Sequence, residues 1–204
     1  MTNLQKIELF LLKSAPIRAE LESILEAHDP ELVQEIVGRE ADSMLEGYAA
    51  QISIELRRKA ARMAEYYRIF YMLENYIRDF VDSIMTDAFD DEWWENKVPD
   101  NIKDAAKRSK EKELNLGVTP RSDDPILYIT FGELMGIMSA NWDQFAGLFP
   151  SSKGLENVMG RLNTLRGPIM HCGDLAEDEV LRLKLSVRDW FKLSAQGPGL
   201  GAPA

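Results

Sequence analysis

Arg166 and His171 are the residues of this chain best suited to chemistry. They sit five positions apart in Arg161-Leu162-Asn163-Thr164-Leu165-Arg166-Gly167-Pro168-Ile169-Met170-His171, and His171 is one of only two histidines. A guanidinium is always charged and offers forked donors that match phosphate oxygens. An imidazole gives or takes a proton near neutral pH. Together they supply charge stabilisation and proton transfer, the minimum for cleaving a phosphodiester without a metal. On an ideal α-helix, positions five apart differ by about 140°, so the two side chains would not share a face. Pro168 is expected to change that. It lacks an amide hydrogen, and its ring crowds the carbonyl of Thr164. It also disfavours the α conformation at Gly167, where glycine tolerates alternatives. A broken or π-widened turn would swing His171 towards Arg166. Asn163 lies one short turn earlier, on roughly the face of Arg166.

These residue types also have plain structural uses. A cationic histidine at a helix C-terminus is favourable to the helix dipole. Glu74 and Arg78 are spaced i, i+4 and suit an ion pair on a helix surface. Lys103, Lys107 and Arg108, with Lys110 and Lys112, are candidates to contact phosphate. Asp104, Glu111 and Glu113 are interleaved with them, which also fits a solvated helix face. Trp93 and Trp94 offer rings for base stacking, or anchors for a helix bundle. Cys172 stands beside His171, but adjacent helical residues diverge and no third orienting group is evident. His28 reads as a surface or capping residue before Asp29-Pro30.

The elements that must position these groups read as helix almost throughout. Short apolar stripes at Leu4–Leu11 and Ile17–Ala27 are separated by Pro16. From Glu31 a helical pattern continues to Ile84, with Gly38 and Gly47 as the expected breaks, since a helix that long is unusual. A new segment begins at Asp90-Asp91-Glu92-Trp93-Trp94. A lysine-rich helix spans Ile102 to Leu114, and Gly117 to Pro125 forms a loop. Ile126-Leu127-Tyr128-Ile129 reads as a buried connector rather than a strand. It leads into helical spacing at Phe131, Leu134, Met138, Trp142 and Phe145. Ser151-Ser152 cap the helix that carries Arg166, whose stripe is Leu155, Val158, Leu162, Leu165 and Ile169. A last helix follows Asp174 and Glu177. Gln196 to Ala204 is rich in Gly, Pro and Ala and reads as a disordered tail.

Composition excludes several classes. The chain has 204 residues, 45% hydrophobic and 28% charged, which is ample for a core. Its formal net charge of −10 argues against sequence-blind coating of nucleic acid. The acid is concentrated early: residues 1–56 carry four Lys/Arg against eleven Asp/Glu, and the remainder carries twenty against twenty-three. A single cysteine forbids an internal disulfide and suits a reducing cytoplasm. One cysteine and two histidines make a Cys/His zinc site unexpected, and no cofactor motif is present. No apolar run is long enough to span a membrane, and the N-terminus lacks a signal-peptide pattern.

The segment Leu162 to His171 resembles the signature of HEPN domains (higher eukaryotes and prokaryotes nucleotide-binding), an Arg followed by His after four to six residues. The flanks fit too. Tyr128-Ile129-Thr130-Phe131-Gly132-Glu133-Leu134, Asn141-Trp142 and Phe145 are similar to a branch found in a eukaryotic nuclear mRNA quality-control endonuclease and in bacterial proteins. Leu73-Glu74-Asn75-Tyr76-Ile77-Arg78 and Trp93-Trp94 resemble its earlier helices. The resemblance covers about residues 60–193. It implies an all-α HEPN-like bundle at 59–193, preceded by an acidic helical extension at 1–58 and followed by the tail, 194–204. It implies a homodimer that brings two Arg–His motifs into one cleft, with RNA as substrate. His171 would transfer protons as a ribose 2′-hydroxyl attacks its phosphate, and Arg166 would stabilise the phosphorane. Asn163, Glu74 and Arg78 would support them, and Lys103, Lys107 and Arg108 would contact RNA. A toxin or defence effector, held by an antitoxin or regulatory protein, is the biological setting this implies. The family usually carries Asn, Asp or His after the arginine, and this chain has Gly167. Other HEPN domains lack nuclease activity and serve in dimerisation, nucleotide or partner binding, which is the alternative reading.

Overall fold

In a computed structural model, the chain is described at Tyr48 and over residues 51–195. The acidic extension expected at 1–58 lies outside the described residues except for Tyr48 and 51–58. His28, the expected breaks at Gly38 and Gly47, and the tail from 196 also lie outside them. Among the described residues there is no strand. The fold is the all-α bundle that the apolar spacing and the resemblance predict.

The first described helix, α1, spans Ile54–Phe89. Its first amides are met by Ser53, whose hydroxyl accepts from the Leu56 amide at 3.3 Å. Residues 54–65 belong to a separate unit of the chain, so the bundle described below is residues 66–195. Within it α1 buries Phe70, Leu73, Ile77, Val81 and Met85, a stripe of three- and four-residue steps. A 3-10 turn, Asp90–Glu92, leads into the short helix α2, Trp93–Lys97. Then come α3, Asp100–Asn115, and a second 3-10 turn, Pro125–Tyr128. That turn is the apolar connector expected from the sequence; Ile126, Tyr128 and Ile129 are buried. Asp124 caps it by accepting from the Ile126 amide at 3.1 Å.

Helix α4, Phe131–Ala140, starts in a capping box. The Thr130 hydroxyl accepts from the Glu133 amide, and the Glu133 carboxylate accepts from the Thr130 amide. Thr130-x-x-Glu133 is a signal legible in the sequence. The helical spacing predicted from Phe131 to Phe145 is interrupted at Asn141, and α5 is only Trp142–Phe145. The cause is local: the Asn141 amide donates to the carbonyls of Ile137 and Lys97 at 3.0 and 3.1 Å. An asparagine that hydrogen-bonds nearby backbone offers the chain an alternative to continuing the helix. Gly136 lets α3 approach α4, because a Cβ there would lie 2.9 Å from Ile102 Cδ1.

Helix α6, Ser152–Met170, is capped by Ser151, whose hydroxyl accepts from the Gly154 amide at 3.2 Å. It buries Leu155, Val158, Met159, Leu162, Leu165 and Ile169, which contains the predicted stripe. Helix α7, Glu177–Ala195, packs along α6 and contributes Leu183 and Trp190. Phe80 of α1 binds the far end together: its ring lies 6.3 Å from Phe145, 5.9 Å from Phe149 and 6.3 Å from Trp190. Aromatic pairs at such centroid distances contribute beyond the area they bury. The cluster ties α1 to α5, to Phe149 just ahead of α6, and to α7.

Candidate functional site

Three segments far apart in sequence meet around one carboxylate. Glu74 of α1 accepts from Arg78 Nη2 through Oε1 at 3.0 Å, and from Arg166 Nε of α6 through Oε2 at 2.7 Å. Arg78 is itself fully engaged. Its Nε donates to the Ile126 carbonyl at 3.1 Å, its Nη1 to Asn75 Oδ1 at 2.9 Å, and its Nη2 also reaches the Ile129 carbonyl at 3.5 Å. The side chains of Arg78 and Glu74 are only 8% and 12% exposed. A surface ion pair, the plain expectation for this i, i+4 spacing, is therefore not what forms. The pair is a buried brace between α1, the 3-10 turn at Pro125–Tyr128 and α6.

Arg166 differs from Arg78 in what it leaves open. Its side chain is 27% exposed, and only Nε is bonded to a partner among the described residues. A guanidinium carries five N–H donors, so the four on its terminal nitrogens remain for a ligand. One carboxylate serves two guanidinium ions, which leaves the cluster with one uncompensated positive charge. An anchored arginine with a free fork and excess charge can receive an anion such as phosphate.

The helix that carries Arg166 does not break at Pro168, contrary to the expectation from the sequence. It stays α-helical to Met170, and the His171 amide donates to the Gly167 carbonyl at 3.0 Å, an ordinary i to i−4 bond. Proline is accommodated because its missing N–H affects only the Thr164 carbonyl, and because Gly167 has no Cβ to clash with the proline ring. The Thr164 hydroxyl turns back to the Gly160 carbonyl at 2.9 Å. Arg166 and His171 therefore keep the α-helical offset of about 140°, and the predicted rotation towards each other does not occur.

His171 instead occupies the C-cap. The chain reverses immediately after it: Cys172 has φ 58°, and the Gly173 amide donates to the Pro168 carbonyl at 2.7 Å. This is a Schellman closure, in which a left-handed residue follows the cap. The closure holds the His171 backbone while its side chain is exposed and makes no hydrogen bond or ion pair among the described residues. Cys172 is a free, exposed thiol.

Asn163 lies one turn before Arg166 and leans over the start of α4; its Nδ2 is 3.4 Å from where a Cβ on Gly132 would stand. The α3 cations make no hydrogen bond or ion pair with this cluster among the described residues; they sit on the helix that packs against the Pro125–Tyr128 turn. Lys103 Nζ pairs with Asp100 at 2.9 Å and donates to the Glu95 carbonyl. The hydrogen bond that the Lys103 ammonium donates to Asp100 pushes it above its usual range. Lys107 and Arg108 are exposed. Trp93 is buried and meets Trp94 edge-on at 5.5 Å, so it anchors the bundle. Sequence reasoning missed Asn75 and the carbonyls of Ile126 and Ile129. Asn75 precedes Arg78 by three positions, a helical neighbour spacing, whereas a carbonyl ligand leaves no mark in residue type. Among the described residues no group of three or more His, Cys, Asp or Glu could hold a metal ion.

The Swt1-like HEPN family matches residues 68–193, which includes Glu74, Arg78, Arg166 and His171. The chain belongs to this HEPN family. No match was found among curated proteins or among solved structures. HEPN membership brings two broad activities into view, a ribonuclease or a nucleotide-binding module. Among the described residues of this HEPN chain, no helix is long and apolar enough to cross a membrane.

Proposed function

We propose that this HEPN protein is a metal-independent endoribonuclease, acting as a homodimer on single-stranded RNA. The observation that carries the reading is Arg166, fixed through Nε by the partly buried Glu74 carboxylate while its terminal nitrogens stay open. In this reading the 2′-oxygen of a ribose bonds to the adjacent phosphorus and the P–O5′ bond breaks. The 2′-hydroxyl proton leaves to a base, and the departing 5′-oxygen takes up a proton. His171 serves in this proton transfer, and Arg166 neutralises charge on the non-bridging oxygens. Glu74 and Arg78 position Arg166 from behind. Because Arg166 and His171 diverge around one helix, an arginine of one subunit and a histidine of the other would complete each site across a two-fold axis. Membership of this family is what makes dimerisation and RNA binding the expected behaviour. A toxin or defence effector held by a regulatory protein is the biological role that goes with such an activity, and the α3 cations Lys103, Lys107 and Arg108 would serve as an outlying RNA contact.

The test is cleavage of single-stranded RNA in EDTA by purified protein. Expected products are a 2′,3′-cyclic phosphate and a 5′-hydroxyl, with DNA left intact because it lacks the 2′-hydroxyl. His171→Ala is expected to lower the rate by roughly 10²–10⁴-fold, and Arg166→Ala by roughly 10²–10³-fold. Activity that survives both changes would place the site elsewhere. The second reading, a nuclease-inactive HEPN module for dimerisation or binding, is favoured by one observation. Gly167 supplies no polar side chain, and the space where its Cβ would point is empty to 4 Å. A stable dimer that leaves a broad RNA panel uncut would establish that reading instead.

A further inference from the structure

Helix α1 carries two tyrosines on the strip that leads to the Arg166 cluster. At 100° per residue, Tyr67, Tyr71, Glu74 and Arg78 fall within about 60° of one another. The two rings lie 6.2 Å apart between centroids with planes 32° from parallel. They are 49% and 60% exposed. Neither phenol makes a hydrogen bond among the described residues; the Tyr71 backbone carbonyl accepts from Asn75 Nδ2 at 2.8 Å. A tyrosine used to anchor a fold ordinarily buries its ring and ties its hydroxyl. These two do neither. Along the helix axis, Tyr71 stands about 4.5 Å and Tyr67 about 10.5 Å from Glu74, the residue that holds Arg166.

We infer that Tyr67 and Tyr71 form a stacking platform for the bases of a single-stranded RNA whose phosphate is held by Arg166. This rests on the ribonuclease reading and adds to it the residues that grip the strand beside the cut. The chemistry is complementary. The free fork of Arg166 takes backbone charge, and two adjacent exposed rings take base faces. Stacking on aromatic rings tolerates every base, because every base has a π-face. The platform therefore sets strandedness rather than sequence: a duplex, whose bases are already stacked and paired, gains nothing from it.

The experiment uses the full chain carrying His171→Ala, so that RNA is bound without being cut, and short single-stranded RNAs with one 2-aminopurine moved along the strand. Tyr71→Ala and Tyr67→Ala are each expected to weaken binding by about 5- to 150-fold. Tyr71→Phe is expected to bind as the parent does. The fluorescence of 2-aminopurine at one or two positions should be quenched on binding to the parent and not to Tyr71→Ala. The slope of affinity against salt should stay unchanged, since no phosphate contact is removed. In the otherwise native chain, Tyr71→Ala should raise KM and leave kcat nearly unchanged. If the native chain cuts RNA but both alanine variants bind and cut as it does, the platform is overturned and the nuclease reading stands. If the native chain binds no RNA, both fall. If the alanine variants instead lose the dimer by light scattering, the face holds a second copy of the chain, and the platform is again overturned.

Discussion

Glu74 sets the residue-scale behaviour of the site, because one carboxylate answers two guanidinium ions. Removing it leaves Arg78 buried with a charge and no counter-ion. Breaking a buried pair in this way typically destabilises by about 3–5 kcal/mol, far more than an exposed pair contributes. Glu74→Ala is therefore expected to lower stability by about 3 kcal/mol, read from urea unfolding. Arg161→Ala, which breaks the exposed pair with Asp189 at 3.0 Å, is expected to change it by less than about 1 kcal/mol. Equal effects would show that Glu74 is not the brace the distances describe. Asp82 gives a second test, in pH. Burial, and then the charge of Asp124, push its carboxyl above the usual range; the hydrogen bond from Trp93 opposes this and Asp79 adds to it. A raised carboxyl favours the protonated form in the folded state. The fold therefore loses stability as pH rises through the ordinary carboxylate range and up to the raised value, and the penalty is complete above it. Asp82→Asn is expected to be the more stable protein at neutral pH, with the advantage vanishing in acid. Thermal melts at several pH values read the sign.

At the scale of elements, the end of α6 carries the strain. Cys172 adopts φ 58° without being glycine, a conformation that burdens residues with a Cβ by roughly 1–2 kcal/mol. Cys172→Gly relieves it, less the extra freedom glycine has in the unfolded chain, so a gain of about 0.5–1 kcal/mol is expected. Pro168 sits in the last turn and leaves the Thr164 carbonyl without its α-helical donor. Pro168→Ala restores that donor and is expected to stabilise by about 1–3 kcal/mol in thermal unfolding. Both changes keep the Schellman closure that places His171, so any RNA cleavage by the parent should persist in each. A loss of stability in Pro168→Ala would mean that the proline ring, rather than the hydrogen bonding, holds the turn together.

For the molecule as a whole, the proposed chemistry depends on assembly. Two motifs facing each other across a two-fold axis require an isologous contact near Arg166 and His171. Light scattering at tens of micromolar, a concentration matched to roughly micromolar affinities, is expected to report a dimer. A monomer at that concentration would remove the composite site and, with it, the shared arginine–histidine chemistry.

The sequence alone determined the helical class, because three- and four-residue apolar steps persist from Phe70 to Met85 and from Leu155 to Ile169. It also marked Arg166 and His171, since one of only two histidines stands five positions after an arginine in a short segment. Local signals set most boundaries: Ser151 begins α6, and the apolar run at Ile126 behaves as a connector. What the sequence misjudged was likewise local in appearance. Pro168 reads as a breaker, yet glycine before it and a single lost hydrogen bond let the helix pass. Asn141 reads as one more helical residue, yet its amide captures two carbonyls and ends α4. The pairing of Glu74 with Arg166 spans 92 positions. Its geometry depends on how α1 and α6 meet and on the carbonyls of Ile126 and Ile129, which hold Arg78. No spacing rule reaches that far, because a salt bridge between two helices is fixed by how they pack, and packing is decided by the whole core at once.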